Sequence, residues 1–475
     1  MQYLSVQEAV DRAFERHQAA KSGDKTAIPE AESLYNFALD NGPENSAVLY
    51  MAGSFYVETG KTGLGSVLLA ASLEADDGFS PAWNNIGIAF RKMHRFARAR
   101  QCFMRALECG SEPDSSTVSN IATTYNDEGD YANAVKWYDL AVEMDQENNE
   151  AKFNRAMALL SLQRWGEGWD AYDMGHLAGG AAQKKRGLRS YAGPGGADHP
   201  VWNGEKDKCV VVWGEQGVGD EVLFASCLPD LIACSRHVVF DCHKRLVNIF
   251  RNSFPGITCF PTREETDFKW AWPKELPEIE YRTAIGSLPR IFRRTSESFP
   301  MHSGYLKADE RLIRHYKRPN FRVGIATVGG THLTGIDKRS ISHEFWGPTL
   351  SVPGVEFVSL DYKAGSRERM AAAAEMFNAN ITFDQEMIDD LDRQFACIAG
   401  LDLVITVTMS VCDFAGALGK ECWTLVPKLS SWRFGTDGDG RLWYPSERLF
   451  RQTDGDKWGP VIEQVGEQLR RRVAL

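Results

Sequence analysis

Two different periodicities run along the chain. Up to about residue 175, small and aromatic positions return every 34 to 35 residues, the spacing at which helix–turn–helix units repeat. Within Ala82–Gly110 those positions are Gly87, Phe90, Ala99, Phe103 and Ala106, and one period later they are Ala122, Tyr125, Ala134, Tyr138 and Ala141. Gly53 and Tyr56, and before them Ala31, Tyr35, Ala38 and Pro43, fit one and two periods earlier. Small residues stand where two helices must approach closely. A unit of this size cannot bury its apolar face alone, so neighbours stack into a superhelix with an extended concave groove, of the kind that holds peptide. A spacer or dimerisation arm would give the same pattern. Trp83, Phe90, Trp137 and Tyr138 read as core or ridge residues.

The repeat decays from Trp165, and residues 176–206 form a linker rich in Gly, Ala and Pro, with Lys184, Lys185, Arg186 and Arg189 as a solvated basic stretch. Beyond Pro200 short apolar runs alternate with amphipathic ones. KCVVVW (208–213), HVVFDC (237–242) and ITCF (257–260) are expected strands, with a helical face of Val222, Leu223, Cys227, Leu228, Leu231 and Ile232, and a helix around Leu246 to Phe254, between them. A second series runs through RVGIAT (322–327), EFVSL (356–360), ITF (381–383), DLVITV (402–407) and CWTLV (422–426). Helices are expected over Arg367–Phe377, Met387–Ala399 and Ser410–Leu418 and at the C-terminus. This alternation predicts parallel sheets. The expected organisation is a helical solenoid (1–175), the linker (176–206), and two Rossmann-like α/β lobes (207–315 and 316–475), with a crossing of the last helix back to the first lobe left open.

Composition changes this picture little. A length of 475 residues suits two to four domains, and 43% hydrophobic with 25% charged residues suits packed cores. A formal charge of −10 argues against neutralising nucleic-acid phosphates or anionic lipid as the main task. MQYLSVQEAVDRAFERHQ has no apolar signal core, and no apolar run reaches membrane-spanning length. The ten cysteines lie in apolar segments without C-x-x-C pairing, so they are expected as buried small side chains in a reducing cytoplasm.

Three segments could carry chemistry. In WGEQGVGD (213–220), Gly217 and Gly219 let backbone amides approach an anion or a sugar hydroxyl. The run lacks the third glycine of a dinucleotide fingerprint and the Gly-Lys-Ser/Thr of a P-loop. Asp220 stands at a strand-to-helix turn, either as a general base or as a carboxylate on the helix dipole. In ATVGGTHLTGIDKRS, a strand ending at Thr327 leads through Gly329 and Gly330 to Lys338 and Arg339, cations able to neutralise a diphosphate or to form a solvated turn. In VTMSVCDFAGALG, a strand ends at Thr408, and Ser410 and Val411 open a helix whose amides could receive an anion. GTDGDGR (435–441) lacks calcium-loop spacing and reads as a flexible loop over a cleft. No histidine shows metal-ligand spacing, His332 and His343 included.

Taken in order, HPVWNGE (199–205), WGEQGVGDEVLFASCLP (213–229), KRSIS (338–342), FVSLD (357–361), LDLVITVTMSVCDFAGALGKECWTLVP (401–427), SWRFG (431–435) and WYPSERLFRQ (443–452) make the chain resemble tetratricopeptide-repeat glycosyltransferases with a heptosyltransferase-like catalytic region. It is more distantly similar to O-linked N-acetylglucosamine transferases. The resemblance implies a GT-B fold with an acceptor-side first lobe and a nucleotide-sugar-side second lobe. It also implies inverting, metal-independent sugar transfer, with a nucleotide sugar as substrate and no other cofactor. Asp220 falls on the general-base position, while Lys338 and the helix from Ser410 fall on donor contacts. Gly217, Gly219, Thr327, Gly329, Gly330, Arg339, Thr408, Val411, Asp413, Trp432 and Arg433 complete the expected donor side. Where the family reads Asp-Thr-Ser-Val-Ala-His, this chain has Thr408, Met409, Ser410, Val411, Cys412 and Asp413, so the usual donor-sugar carboxylate is replaced by threonine. The expected acceptor is a protein hydroxyl, such as that of a flagellin or surface protein, held by the repeat groove. The alternative is an inactive binding scaffold or nucleotide sensor.

Overall fold

A computed structural model of the chain describes residues 4–24, 26–110, 112, 114–178, 189, 191, 198–263, 278–330, 335–453 and 457–474. Lys184, Lys185, Arg186, His332 and most of the 176–206 linker lie outside the described residues. The chain divides into two compact units, Met1–Ala158 and Leu159–Leu475.

In the first unit, antiparallel helix pairs follow the repeat. Val6–Lys21 pairs with Ala27–Asn41, Ser46–Glu58 with Thr62–Ser72, Ser80–Lys92 with Phe96–Cys109, and Ser115–Glu128 with Tyr131–Met144. The starts are set by side chains that accept otherwise orphaned amides. Ser5 and Glu8 form a reciprocal capping box, and Asp114 and Asp130 cap the helices that follow them. The repeat glycine is dictated by packing, since a Cβ on Gly87 would stand 2.5 Å from the Phe103 ring. Ala99, Phe103, Ala122, Ala134, Tyr138 and Ala141 are all buried, as the spacing predicts.

Among its described residues the second unit holds two sheets whose strand pairs are all parallel. The first has β1 (Cys209–Trp213), β2 (His237–Asp241), β3 (Thr258–Phe260) and β4 (Tyr281–Ala284) in the order β3-β2-β1-β4. The second has β5 (Phe321–Ala326), β6 (Val355–Ser359), β7 (Ile381–Thr382), β8 (Leu403–Val407), β9 (Cys422–Val426) and β10 (Glu447–Arg451) in the order β10-β9-β8-β5-β6-β7. Residues of β1, β8 and β9 are buried without alternation, as expected of strands covered on both faces. In each sheet the chain steps outward one way and then returns to the other side of its first strand. The order therefore reverses between β1 and β4 and between β5 and β8, the places where a doubly wound sheet opens a crevice at its carboxyl edge.

The structure differs from the sequence pattern in several places. The division falls at Ala158 rather than near residue 175, because Trp165, Trp169 and Tyr172 of the Trp165–Tyr172 helix are buried within the second unit, with Trp169 against Phe224, Trp432 and Trp443. β4 and β10 do not follow from the apolar pattern: YRTA is half-buried at its start, and ERLFR carries a glutamate and two arginines. The expected Met387–Ala399 helix is two, Gln385–Asp389 and Leu391–Gly400, because Asp390 leaves helical geometry to cap the second through the Asp392 amide (2.9 Å). The last helix, Gly459–Val473, stays with the second sheet, Gly466 lying against Pro348. The 435–441 loop is not free. Arg451 donates to the carbonyls of Gly438 (2.6 Å), Asp437 (2.8 Å), Gly435 (3.2 Å) and Phe434.

Candidate functional site

The turn after β1 is built by its glycines and by charges buried beneath it. The Glu221 carboxylate fills the space where Gly214 would carry a Cβ, accepts the His243 amide (2.9 Å) and pairs with Arg263. Burial pushes Glu221 up to about 7 against the opposing pull of Arg263. Arg263 also donates to the Gln216 carbonyl, and Gln216 takes a left-handed φ of 62°. The chain then enters the Val218–Phe224 helix. Asp220 faces back over the turn: Oδ2 accepts the Gly217 amide (3.2 Å) and Oδ1 pairs with Arg433. Gly219 is closely packed, since a Cβ would stand 3.0 Å from Ser410 Cβ and 3.1 Å from Asp413 Oδ2 and would press its neighbours apart.

That contact joins the carboxyl ends of β1 and β8. Beyond β8, Thr408 is buried and Met409 N-caps the Ser410–Ala417 helix without any side-chain cap. An uncapped helix start presents amides and the positive end of its dipole. Val411 is buried and Ser410 partly exposed. Arg339 donates through Nε to the carbonyl and hydroxyl oxygens of Thr408, both at 3.0 Å, and through Nη2 to the same carbonyl. Gly329 lies beneath that carbonyl, which would be 2.8 Å from an added Cβ, and Gly330 takes a φ of 79°. Lys338 is exposed on the same turn.

Thr327 at the end of β5 is committed inward. The buried Asp361 accepts its amide (2.9 Å) and hydroxyl (2.7 Å), together with the Val328 amide (3.1 Å). Burial raises the Asp361 carboxyl despite these bonds. Asp413 is held by Arg441 (2.8 Å), which also holds Glu447 (2.9 Å) and lies over the rings of Phe434 and Tyr444 at 4.3 and 4.8 Å. Burial pushes Asp413 up to about 6, Arg441 opposing the rise and Glu447 adding to it. Trp432 is buried among Trp169, Phe224 and Trp443, and its outer face carries the Arg433 guanidinium at 4.7 Å.

The structure thus gathers Gly217, Gly219, Asp220, Gly329, Arg339, Thr408, Ser410, Asp413 and Arg433 around one junction. It turns Thr327 toward Asp361 and Trp432 into an aromatic core. Sequence reading missed Glu221, Arg263, Asp361, Arg441 and Glu447. Glu221, Asp361 and Arg441 stand as charges in otherwise apolar or glycine-rich runs, DEVLF, FVSLD and GDGR, whereas Arg263 and Glu447 lie in polar runs that carry no such signal. Among the described residues no cluster of His, Cys, Asp and Glu could hold a metal ion, eight of the ten free cysteines are buried, and no helix is long and apolar enough to cross a membrane.

The N-terminal region carries tetratricopeptide repeats: residues 80–108 and 117–148 match that family's model. Together with the two parallel sheets, they make the chain a repeat solenoid followed by an α/β region. Over 451 residues it is 28% identical to Protein FlbA of Caulobacter vibrioides, covering 82% of this chain and 72% of that protein. Among solved structures, MamA is similar at 17% identity over 32% of this chain and 90% of its own, with a TM-score of 0.29. YrrB, described as a tetratricopeptide-repeat protein with an unusual peptide-binding site, is similar at 18% identity over 30% of this chain and 76% of its own, with a TM-score of 0.26. PilF of Pseudomonas aeruginosa is similar at 15% identity over 37% and 78%, with a TM-score of 0.31.

Proposed function

We propose that the chain is an inverting, metal-independent glycosyltransferase of the GT-B type, moving a sugar from a nucleotide-sugar donor to a protein hydroxyl in the cytoplasm. The observation that carries this reading is the Gly219 contact with Ser410 and Asp413. It sets the carboxylate of Asp220 beside an uncapped helix start flanked by Arg339 and Arg433. In the proposed reaction Asp220 takes the proton of the acceptor hydroxyl as its oxygen bonds the anomeric carbon. The carbon–oxygen bond to phosphate breaks, and the diphosphate leaves with the electron pair toward the arginines and the helix amides. The repeat groove holds the acceptor polypeptide, such as a flagellin or another surface protein.

A second reading, an inactive scaffold or nucleotide sensor, is favoured by Thr408, whose carbonyl engages Arg339 at the position where the family that the chain resembles has a carboxylate. The two separate on one panel, in which UDP-, GDP-, ADP- and CMP-linked sugars are screened by thermal shift and by intact mass of co-expressed acceptor proteins. An enzyme gives a mass increment that Asp220→Asn abolishes without abolishing donor binding. Deleting residues 1–148, which keeps the Asn149–Ser161 helix whole, removes protein modification and spares donor binding. No shift with any donor and no increment would end the enzymatic reading.

A further inference from the structure

We infer that Arg433 is shared between two anions, the Asp220 carboxylate to which the structure joins it and the diphosphate of a nucleotide donor, so that donor binding is what releases Asp220 to act. This rests on the proposed reading of the site.

Asp220 as it stands has both oxygens engaged, Oδ1 by Arg433 and Oδ2 by the Gly217 amide at 3.2 Å. Each oxygen keeps a second lone pair, but an incoming hydroxyl has to share the carboxylate's charge with the Arg433 guanidinium. Arg433 comes from the far side of the junction, in the turn after β9, where Ser431 accepts from its Nη1 at 3.0 Å and the Trp432 ring supports its plane at 4.7 Å. That ring is fixed by Trp169, at a centroid distance of 5.3 Å, and by Phe224 and Trp443. The guanidinium is therefore carried on a fixed base.

Its Nε is shielded from solvent and donates to no atom of the described residues. A buried N–H without an acceptor is costly, and this one stands beside the Nη2 that Asp220 engages through a single oxygen. A diphosphate offers several charged oxygens and accepts a guanidinium in two-pronged fashion, whereas Asp220 offers one oxygen. The neighbouring arginines are less available. Arg441 is fully buried between Asp413 and Glu447, and Arg339 is fastened to both oxygens of Thr408. The consequence is an ordered site in which the proton acceptor becomes competent only after the donor's charge has drawn Arg433 away.

The test is a double-mutant cycle on the full chain by titration calorimetry, with inorganic pyrophosphate, UDP, GDP and ADP as probes and Asp220→Asn, Arg433→Gln and the double variant as proteins. Arg433→Gln should weaken the binding probe about tenfold, the size of a lost charge-assisted bond, and Asp220→Asn should tighten it about threefold or more by ending the competition. In the Arg433→Gln background, Asp220→Asn should have no effect beyond about twofold. Equal tightening in both backgrounds means that removal of a nearby negative charge is the whole effect, and it overturns the exchange while leaving the nucleotide site standing. Failure of all four probes to bind the unaltered chain removes the diphosphate-donor reading and the inference with it. If thermal unfolding shows that Arg433→Gln does not fold, Arg433→Lys replaces it, since an ammonium cannot reproduce the fork. The tightening caused by Asp220→Asn should again be smaller in the Arg433→Lys background than in the native one, and undiminished tightening would refute the exchange.

Discussion

Replacing Arg441 by methionine would keep much of the side-chain volume against Phe434 and Tyr444 and remove only the charge. In the native chain the Arg441 and Glu447 side chains are 0% exposed and that of Asp413 11%. The substitution therefore strands two carboxylates away from water without a cation. Breaking a buried ion pair by removing one partner costs about 3–5 kcal/mol, and that loss is expected for Arg441→Met at pH 7.5. The deficit should depend on pH with a definite sign. Asp413 already stands at about 6 with Arg441 holding it down, so without Arg441 it takes up a proton at higher pH than in the native chain. A variant that binds more protons when folded regains stability as pH falls. The deficit should shrink by about 1.4 kcal/mol per pH unit over the interval in which one carboxylate is protonated in the variant alone. Urea unfolding followed by tryptophan emission reads this directly, because Trp432 and Trp443 are buried nearby. Removing all three charges, with Arg441→Met, Asp413→Asn and Glu447→Gln together, should recover most of the loss, since a buried pair is worth little net against apolar groups of similar volume. Native-like stability of Arg441→Met at pH 7.5, or a deficit constant down to pH 5.5, would refute the reasoning.

Three further outcomes are expected. Gly219→Ala gains helix propensity of about 1 kcal/mol but sets a methyl 3.0 Å from Ser410 Cβ, so it should be net destabilising by about 1–2 kcal/mol and weaken binding of any diphosphate; a stabilised variant with unchanged binding counts against the junction. Gly87→Val drives into the Phe103 ring and should cost about 2 kcal/mol or more, seen as an early loss of helical circular dichroism while the aromatic signal of the second unit persists. Glu221, raised to about 7 by burial, contributes stability that is complete below about 4.5 and lost as pH rises through 7. Relative to Glu221→Gln, the native chain should therefore lose about 3 kcal/mol between pH 4.5 and 8, and a pH-independent difference in urea melts would show that this carboxyl does not titrate with folding.

Much of the architecture is legible in the residues because it follows from local rules. The period that places Gly87, Ala99, Phe103 and Ala106 is set by the geometry of two packed helices, and the unbroken apolar runs of β1, β8 and β9 are set by burial on both faces. The glycine turns after β1 and β5 mark where the backbone had to approach something. The remainder depends on partners distant in sequence. Glu447 opens a strand because Arg441 and the Thr424 hydroxyl meet it. Trp169 leaves the solenoid because Trp432 and Trp443 cover it, and Arg433 becomes part of the site because Asp220 is there to pair with it. The order of the strands, the partner of each buried charge and the contact between Gly219 and Ser410 were settled only when the chain closed on itself. A charge is stable in an apolar interior only when its counter-charge arrives with it, and no local pattern records that meeting.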